Sequence, residues 1–447
     1  MTETFQNKHK IFSPYPKYLE NALSLTDSNA AIEEITKWQG YMPTELHFLS
    51  NLAEKIGIQS ILYKDESTRF NLGSFKALGG AYGVLRFIQN KLKAELGRKV
   101  EIKDIRNGKY LDYTKNYTVT TATDGNHGRS VAYGAELSGC KCQIYIHAEV
   151  SKGRQQAMEE FGAKVIRIQG NYDESLRICI EEATKNNWQI ISDTSYEGYT
   201  QYPRYIMAGY TVLAHEIAQQ LDTKDLPTHI FLQAGVGGFA AAIMAYFWER
   251  YPNKKITFIV VEPTLAPCLI ESAKLNKLTV FDIQEETMMA GLSCGEPSLI
   301  AWKILKAGTD HFMTITDENV PELMRQLAEG VGDDPSIEAG ECSVSGLAAL
   351  IQAKSNVRIS EQLNLNKNSR ILLFGTEGAT DADIYKEIIN CSGLIFLDNL
   401  ENDPNIIKAH ARIAIIFTNI PASPPIPFLT SLFILSLRFF SIYFFTN

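Results

Sequence analysis

Cysteine is scarce: seven residues in a chain of 447 do not make a disulfide framework. Cys140 and Cys142 stand too close together for an ordinary zinc pair, and no His or Cys cluster supplies further ligands, so no metal site is expected. An excess of positive charge is missing too. The formal net charge of -8 leaves no basic footprint and argues against nucleic acid as a partner. The opening MTETFQNKHKIF lacks the apolar core of a secretory signal, and no internal repeat is visible. These absences together predict a reducing, cytoplasmic setting. Cys268 and Cys294 either pair across the fold or stay as buried thiols, and buried thiols are the expectation.

Apolar residues are not in short supply. They make up 45% of the chain against 21% charged, ordinary values for a globular protein, and the length allows one to three domains. One stretch departs from this pattern. Residues 427–445 read PFLTSLFILSLRFFSIYFF, close to the length of a bilayer span. Arg438 inside it is expensive at that depth, and the preceding PASPPIP reads as a linker. The expectation for 391–447 is a C-terminal extension unrelated to the globular part, with membrane contact through 427–445 as the disfavoured alternative.

From about residue 60 to residue 390, short β-branched runs alternate with amphipathic stretches. SILYKDES, YTVTTAT, KCQIYIHAEV, AKVIRIQG, WQIISDT, HIFLQAG, ITFIVVEP and RILLFGTEG read as strands. GNHGRSVAYGAELSG, QQAMEEFG, YDESLRICIEEATKNN and GGFAAAIMAYFWERY read as helices between them. The alternation predicts an α/β fold with mostly parallel sheets flanked by helices. Glycine-bearing strand ends in TATDGNHG and QAGVGGF lie about a hundred residues apart, which predicts two domains with a cleft between them.

Four segments carry residues suited to chemistry. In DESTRFNLGSFKALGGAYG, Lys76 opens a helix whose positive dipole end disfavours the ammonium form and favours reaction with an aldehyde. Gly79 and Gly80, one turn on, leave room for a close approach. Taken alone, a solvated lysine at a helix start is the simpler explanation. In QAGVGGFAAA, Gly235, Val236, Gly237 and Gly238 join a strand to a helix, so successive amides can take an anion. The dinucleotide pattern with its acidic ribose ligand is absent, so a monophosphate fits better, although a packing turn looks the same. In TATDGNHGRS, Asp124, Gly125 and Asn126 form a turn able to hold a carboxylate and a phenolic oxygen, with His127 expected as scaffold. In LLFGTEGATDAD, Thr376 stands at a strand end where a hydroxyl can meet a ring nitrogen, and Glu377 beside it competes for that place.

In combination and in this order, the segments resemble the fold-type II pyridoxal-phosphate enzymes, the family of tryptophan synthase β and threonine dehydratase, over about residues 40 to 390. The resemblance implies a tryptophan-synthase-β-like fold, with 1–85 and 215–390 forming a large cofactor-binding domain and 86–214 a small domain that carries the asparagine loop. It implies that Lys76 of SFK binds pyridoxal 5'-phosphate as a Schiff base and that Asn126 of GNH meets the cofactor's phenolic oxygen. Gly235, Val236, Gly237 and Gly238 would bind the phosphate, and the Thr376 hydroxyl would lie near the ring nitrogen. A homodimer acting on a small amino acid is the corresponding expectation for partners.

The chain departs from threonine dehydratases after the lysine, where Ala77-Leu78-Gly79 replaces their x-Arg-Gly, and at Thr123-Asp124-Gly125, where they carry Ser-Ala-Gly. With DTSYEGY, AGLSCGEPS and GTEGATD, these departures resemble the branch that expels the β-amino group of a 2,3-diamino acid. That implies pyruvate and two ammonia as products. Serine or threonine dehydration is the alternative, and a non-catalytic cofactor-binding protein tethered by its tail a remote one. An amine leaves well only when protonated, so such a site needs a carboxylate to hold it as ammonium. Asp124 and Asp193 are the candidate holders, and Lys76 and Asp124 would serve as bases on opposite faces of the α-carbon. Asp193 also reads as a helix N-cap before TSYEGY.

Overall fold

The β-branched runs become the strands of two sheets, and the amphipathic stretches become the helices that cover them. The computed structural model describes residues 2–390 other than 124; Asp124 and the extension 391–447, with its apolar stretch 427–445, lie outside the described residues. Among the described residues there are eleven strands. They are β1 (Thr4–Gln6), β2 (Leu46–Phe48), β3 (Ser60–Asp65), β4 (Thr118–Ala122), β5 (Lys141–Ile146), β6 (Lys164–Arg167), β7 (Gln189–Ile190), β8 (His229–Gln233), β9 (Thr257–Pro263), β10 (His311–Ile315) and β11 (Arg370–Gly375). Seven form one sheet in the order β1-β10-β9-β8-β11-β3-β2, and four form a second in the order β6-β5-β4-β7. Every pairing is parallel except the two edges of the larger sheet, β1 on β10 and β2 on β3. Both sheets belong to one compact unit, Met1–Cys391. No described helix is long and apolar enough to cross a membrane.

The eight expected strands are all present, although WQIISDT contributes only two residues as β7. The sequence reading has no counterpart of β1, β2 or β10. The first two are three-residue edges, too short to show a period of two. β10 is buried at every residue, as β8 is, but Thr314 cuts its apolar run to Phe312 and Met313, shorter than the IFL by which β8 reads as a strand.

The helix Lys76–Leu96 packs at backbone distance against two others, Asn126–Ser138 and Gln201–Gln220. A Cβ on Gly134 would stand 2.6 Å from Ala81 Cα, and one on Gly209 would stand 2.4 Å from Leu78 O. Any side chain there forces the helices apart. The room beside Gly79 and Gly80 is filled from within the fold, by the Tyr210 ring and the Ser130 hydroxyl.

The turn between β3 and Lys76 is fixed by a fully buried charge cluster. Arg69, 1% exposed, forks onto Glu66 (Nε–Oε2 2.8 Å, Nη2–Oε1 2.8 Å) and onto Glu216 of the Gln201–Gln220 helix (Nη1–Oε1 2.8 Å, Nη2–Oε2 2.7 Å). Lys64 Nζ lies 2.8 Å from Glu216 Oε2 and donates to Thr44 O at 2.6 Å. Two cations balance two carboxylates, so the group can exist out of water. It holds Phe70 and Asn71 in left-handed backbone (φ 51° and 59°) just before the lysine segment. Replacing Arg69 with Met leaves two buried carboxylates sharing one lysine. This is expected to cost about 3–5 kcal/mol, read as a lower midpoint in urea unfolding.

Candidate active site

Each segment singled out in the sequence follows the C-terminal end of a parallel strand, where open α/β sheets place their ligands. The Lys76 segment follows β3, the Asn126 turn β4, Asp193 β7, the glycine loop β8 and Thr376 β11. The lysine segment is stitched to the end of β11: Phe75 N donates to Thr376 O at 3.0 Å, and Gly378 N donates to Gly73 O at 2.9 Å. Asp193 sits in a turn-rich stretch closed by a Tyr196–Tyr199 bridge, so no helix starts there and the N-cap reading is overturned.

Lys76 Nζ donates to Asp193 Oδ2, with the two side chains 21% and 19% exposed. Burial pulls the amine down, but the Asp193 carboxylate outweighs it and holds the ammonium well above the usual lysine range. The expectation from the helix dipole alone thus has the wrong sign here, because a contact ion pair is stronger than a half-charge at a helix end. Burial likewise pushes the Asp193 carboxyl up, yet the Lys76 charge prevails and holds it well below the usual carboxylate range.

His127 lies 3.8 Å from Asp193, Nδ1 to Oδ2, and its Nε2 is 2.8 Å from Ile191 O. Burial holds this imidazole below its ordinary value, hence neutral at pH 7. Its anchor on a backbone carbonyl is the scaffold position anticipated for it.

On the other side, Asn126 Nδ2 donates to Glu377 Oε2, and Cys342 N donates to Glu377 Oε1 at 3.3 Å. Thr376 points elsewhere: its Oγ1 accepts from Gln233 Nε2 at 3.2 Å. The two neighbouring side chains therefore face different partners, Glu377 towards Asn126 and Thr376 towards β8. Glu377's tie to Asn126 has no signal in the sequence, since the two stand 251 positions apart.

The glycine loop leads into the helix Gly238–Arg250 with Gly237 at φ 92° and no side chain capping its first amides. A Cβ on Gly235 would stand 2.8 Å from Cys294 Sγ, and one on Gly238 would stand 3.8 Å from Asp193 O, so the loop abuts the Asp193 segment. Cys268 and Cys294 form no disulfide; Cys268 is buried as expected and donates to Gly235 O at 3.8 Å, whereas Cys294 is only half-buried. No group of acidic, His or Cys side chains suited to a metal occurs among the described residues.

The model of the family described as "Pyridoxal-phosphate dependent enzyme" matches residues 37–375. The diaminopropionate ammonia-lyase of Escherichia coli (strain K12) is 36% identical over 357 residues, covering 79% of this chain and 88% of that one. A crystal structure of the holo diaminopropionate ammonia lyase from Escherichia coli superposes with a TM-score of 0.78 at 34% identity, covering 87% of this chain and 97% of that one. A second crystal structure of that enzyme, in complex with an aminoacrylate-PLP azomethine reaction intermediate, has a TM-score of 0.77 at 34% identity and the same coverage. The residues here suit such a cofactor. A half-buried amine, amides at a glycine-led helix and, among the described residues, buried polar atoms without partners at His127 Nδ1 and Gln233 Oε1 all border the same strand ends.

The ion pair has a pH signature. The folded Asp193 carboxyl lies below its unfolded value of about 4, so its contribution is complete above that pH and is lost as acidification proceeds. Asp193→Asn is expected to destabilise the cofactor-free protein by about 1–3 kcal/mol at neutral pH and to flatten the acid limb of its thermal stability, measured by calorimetry from pH 3 to 7.

Proposed function

This chain belongs to the pyridoxal-phosphate dependent enzyme family, and on that premise we propose that it is a carbon–nitrogen lyase converting 2,3-diaminopropionate to pyruvate and two ammonia. The fold is that of the fold-type II enzymes. When bound, pyridoxal phosphate withdraws electrons from the substrate's α-carbon, which weakens its C–H bond and allows the β-substituent to leave. Lys76 would hold the cofactor through its amine and Asn126 would face the phenolic oxygen. The amides of Gly235, Val236, Gly237 and Gly238 would take the phosphate, and Thr376 or Glu377 the ring nitrogen. The 86–214 segment would be the small domain that carries the asparagine loop, and 1–85 with 215–390 the large one.

The observation that carries the choice of substrate is the Lys76–Asp193 pair. A hydroxyl leaving group needs no full anion beside it, whereas a departing amine does, and Asp193 is held ionised in this crevice. Lys76 takes the α-proton on one face; Asp124, outside the described residues, is the proposed base for the other, which would let both enantiomers react. Asp193 keeps the β-nitrogen protonated as it leaves. Serine or threonine dehydration is the rival activity, and a non-catalytic cofactor-binding protein the remote one. We read the protein further as a cytoplasmic homodimer, with 391–447 an extension unrelated to the enzyme and membrane contact through 427–445 the disfavoured alternative.

Counting ammonia per pyruvate across both diaminopropionate enantiomers, serine and threonine decides the substrate. Two per pyruvate with dominant turnover of the diamino acid is expected; dominant turnover of serine or threonine, with one ammonia, would overturn the proposal. Lys76→Ala is expected to lower kcat/KM by more than about a thousandfold and to abolish borohydride-stable labelling of that peptide.

A further inference from the structure

Among the polar side chains that the reaction as read above leaves unused is a tyrosine beside the lysine helix. Tyr210, on the Gln201–Gln220 helix, is 2% exposed, and its hydroxyl has no hydrogen-bond partner among the described residues. The ring is firmly seated. Its centroid lies 4.7 Å from that of Phe75, and a Cβ on Gly79 would stand 2.3 Å from Tyr210 Cε1. The phenol is thus pressed against the first turn of the helix that Lys76 opens, within the fields of both the Lys76 ammonium and the Asp193 carboxylate. A buried hydroxyl without a partner is destabilising and rare in folded proteins, so its persistence calls for a second state that satisfies it.

The surrounding groups narrow that state. Among the described residues, Lys76, His127, Tyr199 and Tyr210 act on or respond to Asp193, and Asp193, Tyr210 and Cys294 act on Lys76. His127 is no donor to Asp193. A carbonyl only accepts, so the nitrogen facing Ile191 O carries the ring proton; the neutral ring then leaves Nδ1 as a bare acceptor on the Asp193 side. Tyr199 is also committed, donating to Ile190 O at 2.9 Å and accepting from Ser192 N at 2.9 Å. Of the three groups other than Lys76 around Asp193, the Tyr210 hydroxyl is the one that can donate and has no partner among the described residues.

The geometry points to Tyr210 as the second partner of Asp193, a positioning residue whose hydroxyl donates to that carboxylate whenever the Lys76 amine no longer presents its ammonium. The inference rests on the reading that Lys76 is the residue engaged by the cofactor, since that engagement deprives Asp193 of its first partner. With Tyr210 in reserve the carboxylate stays ionised and aimed while Lys76 is away, ready to hold a departing ammonium.

A double-mutant cycle on cofactor-free protein tests this, with Lys76→Ala standing for loss of the ammonium. Tyr210→Phe alone removes a hydroxyl that has no partner and is expected to leave Tm unchanged or slightly higher. In the Lys76→Ala background the same change is expected to lower Tm by about 2–4 °C. An equal change in both backgrounds, as a purely packing role would give, overturns the inference. Should Lys76→Ala fail to fold, the acid limb of kcat/KM for Tyr210→Phe decides. Loss of a donor to the ionised form raises the Asp193 pKa, so the limb is expected to move up by about one pH unit, and an unmoved limb overturns the inference. Borohydride trapping separates the two levels. A label on Lys76 without coupling defeats the role of Tyr210 alone, whereas no label on Lys76 defeats the reading beneath it.

Discussion

A lysine ammonium and an aspartate carboxylate, each about one-fifth exposed, share the crevice at the strand ends, and each favours the charged form of the other. Burial opposes both charges, so the contact must be kept tightly, and the fold fixes each member from several sides. The lysine is held through the Arg69 cluster behind it and through the stitches from Gly73 and Phe75 to the end of β11. The aspartate is held by the residues that follow it. Ser195 Oγ lies 2.7 Å from Ser298 Oγ, and Leu299 N donates to Ser195 O at 2.8 Å. One member comes from the strand ends of the seven-stranded sheet and the other from those of the four-stranded sheet, so the pair also ties the two sheets together.

Much of this was legible in the sequence, for reasons that differ by segment. Parallel strands covered on both faces leave unbroken apolar runs, so ILY, IFL and FIVV could be placed without any partner in view. The glycine loop was readable because a left-handed residue before a helix has few alternatives to glycine, and Gly237 has φ 92°. Properties that depend on distant partners were not readable. The charge on Lys76 follows from a residue 117 positions away, and that contact reverses the sign a helix end alone predicts. Asp193 resembled an N-cap because Asp before a polar stretch often is one; only the path of the chain through the Tyr196–Tyr199 bridge removes that choice. Tyr210 lies on a helix that is apolar over most of its surface, where an aromatic residue reads as core.

The carboxyls around the crevice are sorted by the partners they have, and that sorting bears on the chemistry. Glu262 ends β9 and accepts the amides of Leu269 and Ile270, each at 2.7 Å. With no cation beside it, burial outweighs these amides and pushes it up to about 8, so it is mostly neutral at pH 7. It lies behind the glycine loop, through Cys268, which donates to Gly235 O. A full negative charge behind the loop would repel an anion held by its amides. Neutral Glu262 can therefore cap a helix start without opposing an anion in the loop. Glu341 is pushed up as well, by burial first and by neighbouring Glu377 second. Asp193 differs from both in that its cation, Lys76, outweighs burial and holds it ionised. When that lysine turns to other work, the carboxylate left behind is the charge to which a departing ammonium is drawn, and the folding energy invested in the ion pair becomes electrostatic stabilisation of the leaving group.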